Sequence, residues 1–223
     1  MKLPVIVLFA KAPVPGRVKT RLQPFLSAAQ ASALHEAMVR DALEMLADLS
    51  AFADVELHTD VPTESWFEFP YPRRRQPDGD LGCRLHETLR RALESGRPRA
   101  LVLGSDSPGI PVSQVRSLLV SDADVKVGPT EDGGFHGISA RRTTPSMFEG
   151  VRWSTATTLA DTELSLRRGG LSVEIGDSWF DIDEPQDLLR LPEVKSIGRH
   201  TAAWFRGMTG NGVPLGSRIP APL

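Results

Sequence analysis

The sequence predicts an α/β protein: a three-layer α/β/α sandwich around a mixed, mostly parallel, Rossmann-like sheet. Three observations lead there. The apolar run from Leu3 to Phe9 lacks polar alternation, as in a strand buried on both faces. Segments of strand length then alternate with segments of helical period along nearly the whole chain. The 223 residues, 40% of them hydrophobic, suffice for one full core, and no break in composition calls for a second.

Leu3 to Phe9 is rich in Val, Ile, Leu and Phe, so it is expected as a central strand. From Ser27 to Leu49 the residues Leu34, Met38, Ala42, Met45, Leu46 and Leu49 recur at three and four, which predicts a long amphipathic helix with Ser27 as its cap. Ala53 to Thr59 alternates weakly as a second strand, and a Pro- and Arg-rich passage follows. Leu81, Leu85, Leu89 and Leu93 then share one helical face over Leu81 to Ser95, with Gly96 as a left-handed terminator. Ala100 to Leu103 reads as a short buried strand ending in the turn Gly104 to Gly109, and Pro111 to Val120 as a helix. Val125 to Val127 and Phe135 to Ser139 are expected as strands around the turn Glu131 to Gly134. A helix near Thr155 to Arg168, a strand at Leu171 to Ile175 and a last helix from about Glu184 complete the series. This body covers residues 1–192. Beyond it, residues 193–223 are rich in Gly and Pro and are expected as a loosely ordered tail, with Trp204 and Phe205 as its candidates for docking.

Charge narrows the function. With 26 basic against 28 acidic residues the net charge is -2, so the chain has no cationic excess with which to follow a nucleic acid backbone. The first apolar run spans seven residues, follows a single Lys2 and lacks a small-residue cleavage site, and no later run approaches a membrane span. A soluble, cytoplasmic protein is expected. Cys83 is the one cysteine and the five histidines are scattered, which leaves carboxylates as the ligands for any metal.

Lys11, Arg17, Lys19 and Arg21 crowd the loop directly after the first strand, and no acidic residue precedes Glu36. Positive charge concentrated at the mouth of an α/β core repels itself, so an anionic ligand, most simply a nucleotide's phosphates, explains the loop; a solvated charged loop is the alternative. With Gly16 as its one glycine it is neither a Gly-x-Gly-x-x-Gly turn nor a Walker A loop. Pro13 and Pro15 stiffen it, and Gly16 allows an unusual backbone angle.

Candidate acids lie further on. Asp106 follows a buried strand in a turn, where its carboxylate could hold a divalent cation or simply serve the turn. Asp183 could do the same, or cap a helix with Gln186 as partner, and the two roles are compatible. Asp132, Gly133 and Gly134 offer either close backbone approach to a ligand or a hairpin turn. Gln76 and the segment through Gly82 could offer an amide and backbone groups to a base edge. His86 and His136 read as ordinary half-buried histidines. An aspartyl-phosphate chemistry on Asp181 and Asp183 is disfavoured, because only Trp179 and Phe180 precede them as strand.

Taken together, Phe9-Ala-Lys-Ala-Pro-Val-Pro-Gly-Arg-Val-Lys-Thr-Arg-Leu22, Gly79-Asp-Leu-Gly82, Gly104-Ser-Asp-Ser-Pro-Gly109, Gly128-Pro-Thr-Glu-Asp-Gly-Gly134, Trp153-Ser-Thr155 and Asp181-Ile-Asp183-Glu-Pro-Gln-Asp187 carry a resemblance over residues 3–191. The chain resembles the glycosyltransferase-like proteins related to 2-phospholactate guanylyltransferase and to the molybdenum cofactor nucleotidyltransferases, within the nucleotide-diphospho-sugar transferase (GT-A) superfamily. The resemblance implies a nucleotide over the carboxyl ends of the strands. Its phosphates would meet Lys11, Arg17, Lys19 and Arg21, and Mg²⁺ or Mn²⁺ would be shared by Asp106 and Asp183. Gln76, Gly82, Asp132, Gly133 and Gly134 would complete the nucleotide site.

The expected activity is a magnesium-dependent nucleotidyl transfer from a nucleoside triphosphate to a small phosphorylated acceptor, with Lys19, Arg17 and Asp106 as catalytic residues. A glycosyltransferase using a nucleotide-sugar, and a non-catalytic nucleotide-binding protein, are the alternatives. The base, the acceptor and the oligomeric state are left open.

Overall fold

In a computed structural model, which describes residues 2–23 and 25–209, seven strands form one sheet. The strands are β1 (Val5–Ala10), β2 (Asp54–Thr59), β3 (Arg73–Arg75), β4 (Ala100–Gly104), β5 (Val125–Pro129), β6 (Phe135–Ala140) and β7 (Val173–Ile175). Between and after them run helices α1 (Ala28–Ala47), α2 (Leu81–Glu94), α3 (Val112–Leu119), α4 (Thr158–Arg168) and α5 (Arg199–Thr209). The spatial order is β3-β2-β1-β4-β6-β5-β7. β6 pairs antiparallel with both β4 and β5, and the remaining pairs are parallel. This is the mixed, mostly parallel sandwich that the alternation of periods predicts.

β1 is buried at every residue, and its side chains divide between the two faces by the two-residue period of a strand. Ile6, Leu8 and Ala10 join Val39, Leu43 and Leu46 of α1 and Val115 and Leu118 of α3. Val5, Val7 and Phe9 join Leu85 and Leu89 of α2 and Leu166 of α4. Each fully buried Leu or Ile is worth roughly 1.5–3 kcal/mol, so the helices are held by these two faces more than by propensity. A third cluster, with Leu22, Leu34, Met38, Ile182, Leu188 and Leu191, lies outside the first two.

Local rules fix the ends. Ser27 caps α1: its hydroxyl accepts from the Gln30 N–H at 3.2 Å, and the Gln30 side chain accepts from the Ser27 N–H at 2.8 Å. Asp80 caps α2 by accepting from the Cys83 N–H at 2.8 Å, and Gly96 takes the left-handed φ of +87° after it.

Three elements differ from expectation. β3, inside the Pro- and Arg-rich passage, pairs in parallel with Leu57 to Thr59; an edge strand of three arginines has no apolar alternation by which to be found. The helix expected from Glu184 is a 3-10 segment, Pro185–Glu193, with Pro192 inside it. The chain from 193 also carries α5, whose Trp204, Phe205 and Met208 pack against the third cluster. Asp41 of α1 anchors α5 by accepting from the N–H groups of His200 and Thr201, at 2.9 and 2.7 Å. A cap supplied from α1 leaves no local signal. The expectation of a loose tail over residues 210–223 lies outside the described residues. Among the described residues no helix is long and apolar enough to cross a membrane.

Candidate active site

A cleft of about 600 Å³ opens over the carboxyl ends of β1 and β4, where ligands collect in sheets of this kind. Its floor is built by backbone. Ile182 donates its N–H to the Asp106 carbonyl at 2.9 Å, and Thr130 bridges to Trp179. The segment holding Asp181 and Asp183 is thereby laid along the turn after β4. Asp187 accepts from the N–H groups of both Asp183 and Glu184, at 3.0 and 2.7 Å. Asp187 therefore supplies the side-chain cap that the sequence suggested for Asp183, and the Asp183 carboxylate is left for the cleft.

Lys19 is the centre of the floor. Its φ of +47° lies in the left-handed region, which costs a non-glycine residue on the order of 1 kcal/mol, and this directs the side chain inward. Only 4% of that side chain is exposed. Its Nζ lies 2.5 Å from Asp106 Oδ1, 3.2 Å from Asp183 Oδ1 and 2.5 Å from the Ile182 carbonyl oxygen. Burial works against the ammonium, but Asp106 and Asp183 outweigh it and hold the Lys19 pKa above its ordinary value. Burial likewise opposes ionisation of Asp106, and the Lys19 charge reverses that and keeps its carboxyl below the usual range. Both carboxylates face the cleft, with Asp106 46% and Asp183 40% exposed.

The remaining basic residues part company. Lys11 and Arg21 line the cleft, and Arg21 Nη1 lies 3.3 Å from Asp183 Oδ2. Arg17 does not line it: the turn at Gly16, φ +83°, sends its side chain toward Asp60 at 3.9 Å, where it is 59% exposed. The catalytic role expected of Arg17 has no support in this geometry.

The nucleotide-binding candidates also divide. Gln76 lines the cleft, but its amide donates to the Ala10 and His58 carbonyls, both at 3.1 Å, so its donors serve the sheet. Gly82 lies outside the lining: a Cβ there would stand 3.0 Å from Trp153 and 3.1 Å from Phe148, so this glycine lets α2 approach them. Gly133, at φ +87°, would place a Cβ 2.1 Å from the Ala156 carbonyl oxygen, so its close approach is to α4's leading loop. Asp132 and Gly134 do line the cleft, with Asp132 Oδ1 accepting from Thr130 Oγ1 at 2.6 Å and the Gly134 N–H at 3.0 Å.

Several further cleft residues were given no binding role from the sequence, and His35 and Arg84 carried no signal in it. Asp181 is half-buried beside Asp106, and the Ser107 hydroxyl donates to its Oδ1. Burial, with the Asp106 charge behind it, pushes its carboxyl up to about 7. The signal was available, because residues two apart in an extended segment share a face, which places Asp181 with Asp183. His35 also lines the cleft and donates from Nε2 to the Lys11 carbonyl at 2.9 Å, and burial lowers its pKa. His136 is neutral to about pH 4 through burial. Arg84 and Trp153 stand on the α2 side.

Asp106 and Asp183, both open to the cleft and both paired with Lys19, are oxygen donors of the kind a divalent cation takes. Asp41, Glu44 and His200 also lie close together. Arg199 pairs with Glu44 there at 2.5 Å, and Asp41 is spent on the start of α5, so that group serves helix packing.

The profile of a family described as an uncharacterized protein conserved in bacteria (DUF2064) matches residues 42–155. A 2-phospho-L-lactate guanylyltransferase of Methanocella arvoryzae is 32% identical over 187 residues, 81% of this chain and 79% of that one. A solved structure from Desulfovibrio desulfuricans G20, named for nucleotide-diphospho-sugar transfer, superposes with a TM-score of 0.80 at 28% identity, covering 93% of this chain and 98% of its own. CMP:2-keto-3-deoxy-manno-octonic acid synthetase complexed with CTP superposes at 0.57 with 16% identity, over 86% and 98% of the two chains, and shares the fold.

Proposed function

The chain belongs to the DUF2064 family, and from its guanylyltransferase relative and the chemistry of its cleft we propose that it is a nucleotidyltransferase acting on a small phosphorylated acceptor. It is a transferase, and its guanylyltransferase relative makes GTP the first donor to test. In the proposed reaction an acceptor phosphate oxygen attacks the α-phosphorus of the triphosphate. The bond from that phosphorus to the β-phosphate's bridging oxygen breaks, and pyrophosphate leaves with the electron pair. An acceptor phosphate is already anionic near neutral pH, so no general base is needed.

The observation that carries this reading is the convergence of Asp106, Asp181 and Asp183 on Lys19 at the mouth of β1 and β4. Asp106 and Asp183 would hold a divalent cation, Mg²⁺ or Mn²⁺, which supplies charge neutralisation at phosphate oxygens when bound. Lys19 keeps the two carboxylates apart and oriented, while Lys11 and Arg21 face the polyphosphate as its remaining counter-charges. A cytoplasmic setting, where nucleoside triphosphates are held, suits this chemistry.

The likeness to the D. desulfuricans structure favours one second reading, sugar transfer from a nucleotide-sugar. Product analysis separates the two. The protein is incubated with Mg²⁺, each of the four nucleoside triphosphates and a panel of small phosphates, and pyrophosphate is assayed. Magnesium-dependent pyrophosphate release supports nucleotidyl transfer. Release of a nucleoside diphosphate from a nucleotide-sugar, with no pyrophosphate from any triphosphate, overturns it.

A further inference from the structure

Asp183 offers its two carboxylate oxygens to two different cations. Its Oδ1 lies 3.2 Å from the ammonium of Lys19, buried in the floor, and its Oδ2 lies 3.3 Å from Nη1 of Arg21, whose side chain is 55% exposed. The inward oxygen is committed, and the outward one is held from the cleft side. Asp106 differs, since among the described residues it pairs with Lys19 alone.

The two cations are held with unequal firmness. Lys19 has three oxygens within 3.2 Å and, once buried, no water to turn to in their place. Arg21 has a single contact among the described residues, made by one nitrogen of its fork. Such an exposed pair is weak, because water restores most of what the contact gives and the long side chain regains its rotamers on leaving. The backbone of Arg21 is fixed all the same: it sits in the 3-10 turn Thr20–Leu22, and Leu22 is fully buried in the third cluster. The side chain can therefore leave Asp183 while the loop stays in place, and it remains in the cleft that it lines with Lys11.

A divalent cation that reaches Asp183 from the cleft needs the oxygen that Arg21 holds, and the two positive charges repel each other there. On the reading of Asp106 and Asp183 as cation ligands, on which this inference rests, we propose that Arg21 is an exchangeable counter-ion. It holds Asp183 while the site is free of metal and passes to the polyphosphate when the cation arrives. Its fork then meets phosphate oxygens, which suit a guanidinium better than one carboxylate oxygen does. Arg21 thereby couples the two ligands. Cation binding releases a counter-charge to the nucleotide, and a polyphosphate that draws Arg21 away opens Asp183 to the cation, the coupling being equal in both directions.

The test uses the full chain and the variants Arg21→Gln and Lys11→Gln at one pH. Lys11→Gln removes an equal charge from the same cleft, at a residue that pairs with no carboxylate among the described residues. Mn²⁺ affinity without nucleotide is read from the paramagnetic resonance signal of the free ion. Arg21→Gln is expected to bind Mn²⁺ about three- to tenfold more tightly than wild type, because the competing pair is gone, and Lys11→Gln within about twofold of wild type. Affinity for a fluorescent GTP analogue is then measured with Mg²⁺ and with EDTA. Arg21→Gln should lose about tenfold with Mg²⁺ and less than about threefold with EDTA, whereas Lys11→Gln should lose similar factors in both. Mn²⁺ binding by Arg21→Gln no tighter than by wild type, or a gain that Lys11→Gln matches, overturns the inference. So does a contribution of Arg21 to nucleotide affinity that is the same with and without Mg²⁺. Wild type that binds Mn²⁺ but releases no pyrophosphate fails the broader reading alone, and wild type that binds no Mn²⁺ fails both.

Discussion

Lys19 and Asp106 meet at 2.5 Å on the cleft floor, the lysine buried and the aspartate half open to ligand. On the proposed function the pair is at once a structural contact and a catalytic one. Lys19→Ala leaves Asp106 and Asp183 facing each other uncompensated, so turnover is expected to fall about 10²–10³-fold. Stability should fall by roughly 1–2 kcal/mol, the exposed partners reducing what a fully buried pair would lose. Pyrophosphate release and urea unfolding measure the two effects. In the double variant Lys19→Ala/Asp106→Ala the losses should be less than additive; additive losses would mean that the two residues do not interact.

Asp181 and His136 should oppose each other in the pH dependence of stability. Between about pH 4 and 7 the folded chain holds a proton on Asp181 that the unfolded chain has released, so this contribution fades as pH rises. The buried His136 ring stays neutral to about 4, while an unfolded histidine is protonated below its ordinary 6.5, so this contribution fades as pH falls. The His136 shift corresponds to roughly 3 kcal/mol over that interval. Relative to wild type without divalent cation, Asp181→Asn should lose stability more steeply toward acid, and His136→Gln less steeply. Urea midpoints between pH 4 and 8 measure this, and profiles parallel to wild type would remove the assignment.

Gly133→Ala should destabilise by about 2 kcal/mol or more, because a Cβ meets the Ala156 carbonyl and a left-handed φ is required. A melting temperature equal to wild type, with nucleotide binding lost, would return this glycine to the role of ligand contact.

Gln76→Leu removes the donors to the Ala10 and His58 carbonyls, and leaving these buried acceptors bare should cost about 1–3 kcal/mol. Affinity for a fluorescent GTP analogue should change little in the folded variant. A large loss there with unchanged stability would show that the amide serves a base.

Much of this architecture is legible in the order of residues. The unbroken apolar run of β1, the Ser27 cap and Gly96 after α2 are local signals, and the structure keeps them. Lys19 and Asp106 could be proposed as neighbours because each follows a strand and the carboxyl ends of strands share one edge, whereas Asp183 was joined to them by the family resemblance. Other features come from contacts distant in the chain. Arg17 and Lys19 look alike in sequence, and the turn at Gly16 separates them. Gly82 and Gly133 resemble ligand-approach glycines, yet Trp153 and Ala156 account for them.

The seat of α5 on the third cluster reaches further than packing. That cluster joins Leu22 and Ile182, the neighbours of Arg21 and Asp183, to Trp204 and Met208. A substitution such as Trp204→Ala, remote from the cleft, would therefore slacken the mounting of the loop that carries Asp183, and its damage would register as poor turnover before it registered as unfolding.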